Sequence, residues 1–165
     1  MQINAIYRDY EEKHFRDFSE MVFCLYGEDP EGEAISEEKI RRTVRESMER
    51  PEKLRIVLIC AGGEDEAGDA AVTTGANAAV VGYSILVFYW SNEYGGDIVN
   101  IDELYIKKEF RKGGIASNFI KCQMGAYKNT RAIAIETTPS NEAAASLYKK
   151  LGFKASPNDH MILPL

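Results

Sequence analysis

The sequence predicts a single α/β (or α+β) domain over residues 1–165, with a central mixed, mainly antiparallel sheet flanked by about four helices. Three observations support this fold class. A chain of 165 residues has the size of one compact domain and buries roughly 70% of its unfolded surface. Segments with strand and helix periodicity follow one another as strand, two helices, three strands, helix, strand, helix and strand. No internal repeat or domain-scale linker interrupts them, and a mixed sheet with helices on both faces buries their apolar sides.

The first part of the chain predicts two strands and two helices. Gln2–Tyr7 alternates apolar and polar residues as a strand does, and Tyr10–Tyr26 has apolar residues at the spacing of an amphipathic helix. A second helix opens with Ser36 as its N-cap and runs to about Arg50, where the following proline ends it. Leu54–Cys60 is dense in aliphatic and β-branched residues and predicts the second strand.

The middle of the chain predicts a hairpin of two strands. The segment Gly62–Ala79 is rich in Gly, Ala and acidic residues, so it has little apolar area to bury and predicts a loop of unassigned role. Val80–Trp90 is the longest strand signal in the sequence, and Val99–Ile106 predicts its partner. Between them, Ser91–Asp97 contains two consecutive glycines and predicts a turn.

The last part predicts helix, strand, helix and a returning strand. Gly114–Lys128 has apolar residues on one helical face, and Ala132–Thr137 has a strand pattern. Asn141–Leu151 predicts a helix that ends at Gly152, because glycine favours the left-handed conformation at that position. Phe153–Leu165 predicts one or two short strands.

Charge and cysteine content restrict the function. A net charge of -6 disfavours a nucleic-acid partner and mildly favours a cationic substrate, although acidic proteins are also common for reasons of solubility. Cys24, Cys60 and Cys122 lie far apart and suit neither a disulfide framework nor a metal set, and a reducing, cytoplasmic setting is expected. No metal site is expected, because no His/Cys/Asp/Glu cluster has ligand spacing. Neither a signal peptide nor a run of about 20 apolar residues is visible, so no membrane partner is expected.

The strongest candidate site is the segment from Ile106 to Ala116. A predicted strand ends there, a basic loop with Gly113 and Gly114 follows, and a helix begins. The first amides of a helix lack internal partners and bind phosphate readily, and glycine lets a ligand approach the backbone closely. The loop carries four cationic side chains, Lys107, Lys108, Arg111 and Lys112. On these residues alone, a glycine turn with solvated basic residues is as good an interpretation as a phosphate site; the patterns of P-loop and dinucleotide-binding proteins are absent.

Two motifs give this segment a context. Arg111–Ala116 has the pattern R-x-x-G-x-A, and Asn141–Phe153 (NEAAASLYKKLGF) has the pattern N-x-x-A-x-x-x-Y-x-x-x-G-F. The first resembles the Q/R-x-x-G-x-G/A signature of the GNAT N-acetyltransferases, and the second resembles a segment of the same family. The interval between them leaves room for one helix and one strand, as the family requires. The resemblance covers about half of the chain, from Gly82 onward, and is closest to acetyltransferases of diamines and aminoglycosides.

The resemblance implies the GNAT acyl-CoA N-acyltransferase fold and acetyl-CoA as co-substrate. The backbone amides expected to bind its pyrophosphate are those of Arg111, Lys112, Gly113, Gly114, Ile115 and Ala116, with Ser117 nearby. The pantetheine arm is expected to pair with the backbone of Leu104, Tyr105 and Ile106. Asn141 is expected to contact the cofactor through its side-chain amide.

The resemblance also implies acid–base roles. Tyr148 is expected to protonate the departing thiolate as general acid; packing in the core is the alternative for such a tyrosine. Asp102 and Glu103 lie where the resemblance puts an acid near the acceptor amine, and successive strand residues point to opposite faces. We expect Glu103 to be the base, with Asp102 as the second choice. A structural ion pair with a lysine or arginine is nearly as good an interpretation.

The expected reaction is direct acetyl transfer to a primary amine in a ternary complex, without an acyl-enzyme, because no cysteine shows a motif with His14 or His160. The acceptor is expected to be a small cationic amine, polyamine-like or aminoglycoside-like. Acids and aromatic rings suit ammonium groups, and two segments supply them: Glu28, Asp29, Glu31 and Glu33, and Tyr89, Trp90, Glu93 and Tyr94. The alternatives are a non-catalytic acyl-CoA-binding module and an acetyltransferase of protein N-termini or lysines. A homodimer is the default assembly.

Overall fold

The computed structural model describes residues 4–28, 34–61, 78–158 and 161–163. The strands within these residues are β1 Ala5–Asp9, β2 Leu54–Ala61, β3 Val80–Ser91, β4 Gly96–Ile106 and β5 Thr130–Ile135. The helices are α1 Phe15–Glu28, α2 Glu37–Glu49, α3 Ile115–Gln123 and α4 Glu142–Lys150. The chain forms two compact units, Met1–Ile135 with β1–β5 and α1–α3, and Glu136–Leu165 with α4. No helix in the described part is long and apolar enough to span a membrane.

The four predicted helices and the first five predicted strands are confirmed, with differences at their ends. α1 begins at Phe15 rather than Tyr10, because Glu12–His14 form a turn of 3-10 helix. α3 ends at Gln123, five residues before the predicted end, since Gly125 follows and glycine is a poor helix former. Ser36 is the N-cap of α2, as predicted, and its hydroxyl accepts a hydrogen bond from the Lys39 amide at 3.2 Å.

The prediction of a final strand is wrong for the residues that the structure describes. Residues 153–158 and 161–163 contain no strand. Pro157 has no N–H to donate to a ladder, and the Asn158 amide donates to the Ser156 hydroxyl at 3.2 Å, which favours a local turn over pairing. The predicted loop Gly62–Ala79 lies outside the described residues except for its last two positions.

The sheet follows the chain order β1-β2-β3-β4-β5. The first three pairs are antiparallel, and β4 pairs with β5 in parallel. A parallel pair needs a crossover, and α3 provides it. The predicted mixed, mainly antiparallel sheet is therefore confirmed.

Helices of the first unit cover both faces of the sheet. The core on one face joins α1 and α2 to the strands through residues such as Phe18, Ile40 and Leu58, and Ile6 of β1 packs against it. The neighbouring Tyr7 points the other way, and its ring meets the ring of Phe119 in α3, with centroids 5.3 Å apart. Because adjacent strand residues point to opposite faces, α3 lies on the face opposite α1 and α2.

Two irregularities shape β4. Gly82 of β3 lies opposite Ile106, and a Cβ at Gly82 would collide with the Tyr105 carbonyl oxygen and the Ile106 side chain. The register also shifts by one residue, so that Ile85 pairs with Glu103 and Leu86 with Ile101. Asp102 is therefore the extra residue of a β-bulge, a device that re-aims side chains next to functional sites.

Candidate active site

The end of β4 has an open edge. β5 pairs with β4 only as far as Ile101, which lies opposite Ile135, so residues 103–106 of β4 are paired with β3 alone in the described sheet. The Lys107 amide donates to the Val81 carbonyl at 2.9 Å, and alternation along an antiparallel ladder then turns the backbone groups of Leu104 and Ile106 away from β3. These N–H and C=O groups face the open edge, where an extended ligand could pair with them.

The loop after β4 opens the N-terminus of α3. Lys112 has a φ of 66° and Gly114 has a φ of 82°, both in the left-handed region. Gly114 is the N-cap of α3, it has no side chain to cap the helix, and a Cβ added there would meet no atom within 4 Å. The amides of the first turn, at Ile115, Ala116 and Ser117, lack acceptors within the helix. The segment predicted to bind phosphate therefore forms an open, cationic helix N-terminus.

The side chain of Arg111 is fixed between this loop, β4 and α1. Its Nε donates to the Ile106 carbonyl at 2.7 Å, and its guanidinium lies 5.2 Å from the centroid of the Tyr105 ring. It also forms an ion pair with Glu28 at 2.9 Å, and Lys108 approaches the same carboxylate at 3.6 Å. Glu28 was predicted to belong to an acceptor loop. It is instead the last residue of α1 and contacts the basic loop, while the other three acids of that set lie outside the described residues.

Glu103 lies between two phenols. The Tyr26 hydroxyl donates to Oε1 at 2.9 Å, and the Tyr83 hydroxyl donates to Oε2 at 2.6 Å. Burial raises the pKa of the Glu103 carboxyl above its ordinary value; the hydrogen bonds from Tyr83 and Tyr26 oppose this shift, and the charge of Asp102 adds to it. Within the described residues the partners of Glu103 are phenols rather than a lysine or arginine, so the alternative of a structural ion pair does not hold for it.

Asp102 differs from its neighbour in exposure. It is exposed at the bulge, whereas Glu103 is largely buried on the side of α1. The Ser84 hydroxyl, which is fully buried, donates to the backbone carbonyl of Glu103 at 2.8 Å and fixes the backbone next to the bulge. The two carboxylates therefore have different surroundings, as the alternation of side chains along a strand predicts. The bulge at Asp102 contributes to this difference in exposure as well.

The second unit holds Asn141 and Tyr148. Asn141 is the N-cap of α4, and its Oδ1 accepts from the Ala144 amide at 3.1 Å, which leaves its side-chain NH₂ for another partner. The Tyr148 ring is half-buried, packs 5.8 Å from the Phe153 ring, and has its pKa raised by burial. Gly152 has a φ of 96°, and the amides of Gly152 and Phe153 bond to the carbonyls of Lys149 and Tyr148. This is the Schellman arrangement that ends helices at glycine, as predicted.

A cavity of about 550 Å³ lies at the opposite end of the β3–β4 hairpin. Its lining includes Tyr89, Trp90 and Asp97. Asp97 precedes Glu103 by six residues on β4, which is about 20 Å of strand. The structure therefore does not bring the second segment predicted to bind the acceptor to Glu103. That segment comprises Tyr89, Trp90, Glu93 and Tyr94.

Sequence reasoning missed Tyr26, Tyr83 and the role of Glu28. Tyr26 and Tyr83 lie 77 and 20 residues from Glu103 in the sequence, so no short motif joins them. The available signal was a tyrosine at the end of a predicted helix with a glutamate two residues beyond it, and a tyrosine within a long apolar strand.

Comparisons with known proteins agree with this geometry. A family model described as Acetyltransferase (GNAT) domain matches residues 69–155, which is more than half of the chain. A possible acetyltransferase from Clostridium difficile 630 superposes with a TM-score of 0.75 at 16% identity, over 98% of this chain and 97% of that chain. AAC(6')-Iy, solved with the bisubstrate analogue CoA-S-monomethyl-acetylneamine, has a TM-score of 0.71 at 16% identity, over 98% and 99%. The aminoglycoside acetyltransferase meta-AAC0020 from an uncultured soil metagenomic sample, solved with sisomicin, has a TM-score of 0.66 at 10% identity, over 98% and 96%.

At these identities the structural likeness establishes the fold, and the family model establishes the family. The chain belongs to the GNAT family of acetyl-CoA-dependent acetyltransferases.

Proposed function

We propose that this protein transfers the acetyl group of acetyl-CoA directly to a small cationic amine, polyamine-like or aminoglycoside-like, with Glu103 as the general base. The observation that carries the proposal is the partly buried Glu103 carboxylate, held by two phenols on the strand whose edge is open. Acetyl-CoA supplies an activated acetyl thioester.

The residues present fit the cofactor. A pyrophosphate needs amide donors and positive charge. The amides from Lys112 to Ala116, with Ser117 nearby, would provide the donors at an N-cap without a side chain. The Arg111 amide, predicted to share this role, instead donates to the Lys108 carbonyl at 3.2 Å. The outward-facing backbone groups of Leu104 and Ile106 would hold the pantetheine arm, whereas Tyr105, predicted to share this role, has its backbone turned toward β3 by the same alternation. Asn141 keeps a free pair of amide donors for its predicted contact.

Glu103 has the chemistry of a base for an ammonium ion. An amine is protonated at neutral pH and must lose a proton before it attacks. Each oxygen of the carboxylate keeps a second lone pair beside its phenol hydrogen bond and can accept that proton, directly or through water. Its raised pKa brings it closer to the working pH, where a general base is most efficient. Asp102, exposed on the adjacent bulge, would hold another cationic group of the acceptor.

The class of acceptor follows from charge. Asp102 and Glu103 are two adjacent acids where the open edge of β4 begins, and the chain has a net charge of -6. Clefts lined by acids concentrate cations. Two structural neighbours were solved with a CoA-S-monomethyl-acetylneamine bisubstrate analogue and with sisomicin. Both neighbours are distant in sequence, so the carboxylates carry the argument.

The deciding experiment is calorimetric titration with acetyl-CoA. Wild type is compared with an Arg111→Ala, Gly114→Glu double variant, which removes a cation and adds a carboxylate at the helix N-terminus. Lys121→Ala, which removes a cation from the other end of the same helix, is the matched control. Circular dichroism first establishes that each variant is folded.

We expect saturable binding by wild type and the control, and at least a tenfold loss of affinity in the double variant, about 1.4 kcal/mol or more. Release of CoA is then followed with spermidine, with sisomicin and with peptides that carry a free N-terminus or lysine. A folded wild type that does not bind acetyl-CoA would refute the proposal. Turnover of peptides without turnover of either small amine would refute the acceptor class.

A further inference from the structure

Three elements that are distant in sequence meet at the Glu103 carboxylate. Tyr26 comes from the last turn of α1, Tyr83 from the first third of β3 and Glu103 from β4. Each phenol donates to a different carboxylate oxygen, at 2.9 and 2.6 Å. A carboxylate with one donor on each oxygen is fixed in position and in rotation, because turning it would break both hydrogen bonds.

The two phenols are held in different ways. Tyr83 is fully buried, and its ring packs edge-on against Phe18 with centroids 5.0 Å apart. Tyr26 is partly buried at the margin of the same core, two residues before the end of α1. At that end, Glu28 forms ion pairs with Arg111 and Lys108 of the loop before α3. Tyr83 is therefore fixed by packing, whereas the place of Tyr26 depends on the last turn of α1.

We infer that Tyr26 is a positioning residue, which orients the Glu103 carboxylate and sets its affinity for a proton. Tyr26 keeps its own proton, because burial and the negative charge of Glu103 both raise the pKa of its hydroxyl far above neutrality. The proton of the acceptor ammonium would pass to the carboxylate, and the phenol would only donate a hydrogen bond. The catalytic part of this inference rests on the proposed role of Glu103 as base.

Removal of the Tyr26 hydroxyl should raise the pKa of Glu103. A hydrogen bond to an ionised group stabilises the ionised form, so losing one donor favours the protonated carboxyl. The expected shift is about one pH unit upward. The acid limb of the pH profile of kcat/KM should move upward by the same amount. At pH values on the acidic side of this limb, kcat/KM should be about tenfold lower than in wild type, and at higher pH it should return toward the wild-type value.

The experiment compares Tyr26→Phe with two other variants. Tyr83→Phe removes the second hydrogen-bond donor to Glu103, and packing keeps the ring in place. It should also raise the pKa of Glu103. Tyr10→Phe is the matched control, because Tyr10 packs against the same Phe18 ring but its hydroxyl lies near Glu12 and not near Glu103. Thermal melting establishes that all three fold. The titration midpoint of Glu103 is measured by carbon NMR of labelled glutamate carboxyls, with Glu103→Gln to identify the resonance.

The NMR measurement needs no substrate, and the pH profile of kcat/KM is measured with acetyl-CoA and spermidine or sisomicin. A raised midpoint in Tyr26→Phe and Tyr83→Phe, but not in Tyr10→Phe, supports the inference. An unchanged midpoint in Tyr26→Phe overturns it. A raised midpoint with an unmoved kinetic limb leaves the positioning of Glu103 intact and refutes its role as base, so the two failures are distinguishable.

Discussion

The properties of Glu103 come from three neighbours rather than from its place in a motif. Burial alone would favour the neutral acid, the exposed Asp102 adds to this effect, and two phenols oppose it. A carboxylate with these opposing influences has a pKa closer to neutral pH than a solvated one, which suits a base that must also release its proton after each turnover. At the residue scale, the site is therefore defined as much by Tyr26 and Tyr83 as by Glu103.

Tyr148→Phe tests the general acid. The substitution keeps the ring that packs against Phe153 and removes only the hydroxyl. Burial raises the pKa of the Tyr148 hydroxyl in wild type, so the phenol is protonated at neutral pH and can donate its proton. We expect turnover to fall by about 10²-fold or more, while the Kd for acetyl-CoA stays within about twofold, measured by steady-state kinetics and calorimetry. Tyr94→Phe, at an exposed position of the β3–β4 turn, is the control. Unchanged turnover in Tyr148→Phe would exclude it as the acid.

At the element scale, β4 does two things at its two ends. Residues 97–101 are paired on both sides, with β3 and with β5, and residues 103–106 are paired with β3 alone. The bulge at Asp102 marks the change and separates the buried Glu103 from the exposed carboxylate before it. The close approach of β3 at Gly82 then fixes where the open edge ends, next to the loop that leads into α3.

Gly82→Ala tests this close approach. The added Cβ would collide with the Tyr105 carbonyl and the Ile106 side chain, where the backbone cannot move without parting the strands. We expect a loss of about 1–3 kcal/mol in the free energy of unfolding, as for other overpacked cores, measured by denaturant unfolding. Gly27→Ala is the matched control. It lies in α1 with no atom near its added Cβ, so it should gain about 0.5–1 kcal/mol. Equal stability of the two variants would contradict the role of Gly82.

Local signals in the sequence predicted most of the fold and part of the site. Ser36 and Gly152 marked helix ends correctly, because caps depend on one or two residues. The strand periodicity could not reveal the bulge at Asp102, since an extra residue in a ladder is defined by the partner strand. The cluster of Tyr26, Tyr83 and Glu103 was equally hidden, because it depends on how α1 packs across β3 and β4. The segment of Tyr89, Trp90, Glu93 and Tyr94 was misplaced for a similar reason. It is close to Glu103 in sequence, but its nearest member, Tyr89, lies about 13 Å along β3 from Ile85, the residue that pairs with Glu103.

At the scale of the whole molecule, the first unit brings the basic loop and the buried carboxylate into contact with one helix end. The last turn of α1 carries Tyr26, which bonds to Glu103, and Glu28, which bonds to Arg111. A helix that contacts both ends of the open strand edge can hold them at a fixed separation, as an extended ligand would require. Glu103 is thereby a partly buried ionisable group beside the core, and its effect should be visible in the stability of the whole protein.

The stability of Glu103→Gln relative to wild type should depend on pH. In the folded protein the pKa of Glu103 lies above its ordinary value, so between those two pKa values the folded state binds more protons than the unfolded chain. Stability from this group is therefore complete at low pH and falls as pH rises through the window. Gln resembles the protonated acid in shape and does not ionise.

We expect the unfolding free energy of Glu103→Gln minus that of wild type to rise from about pH 4 and to level off above the pKa of Glu103 in the folded protein. Denaturant unfolding across pH 4–8 measures it, with Glu49→Gln at the exposed end of α2 as control. A difference that is constant with pH would show that the carboxylate is not destabilised by burial, and would weaken the case for a base tuned toward neutrality.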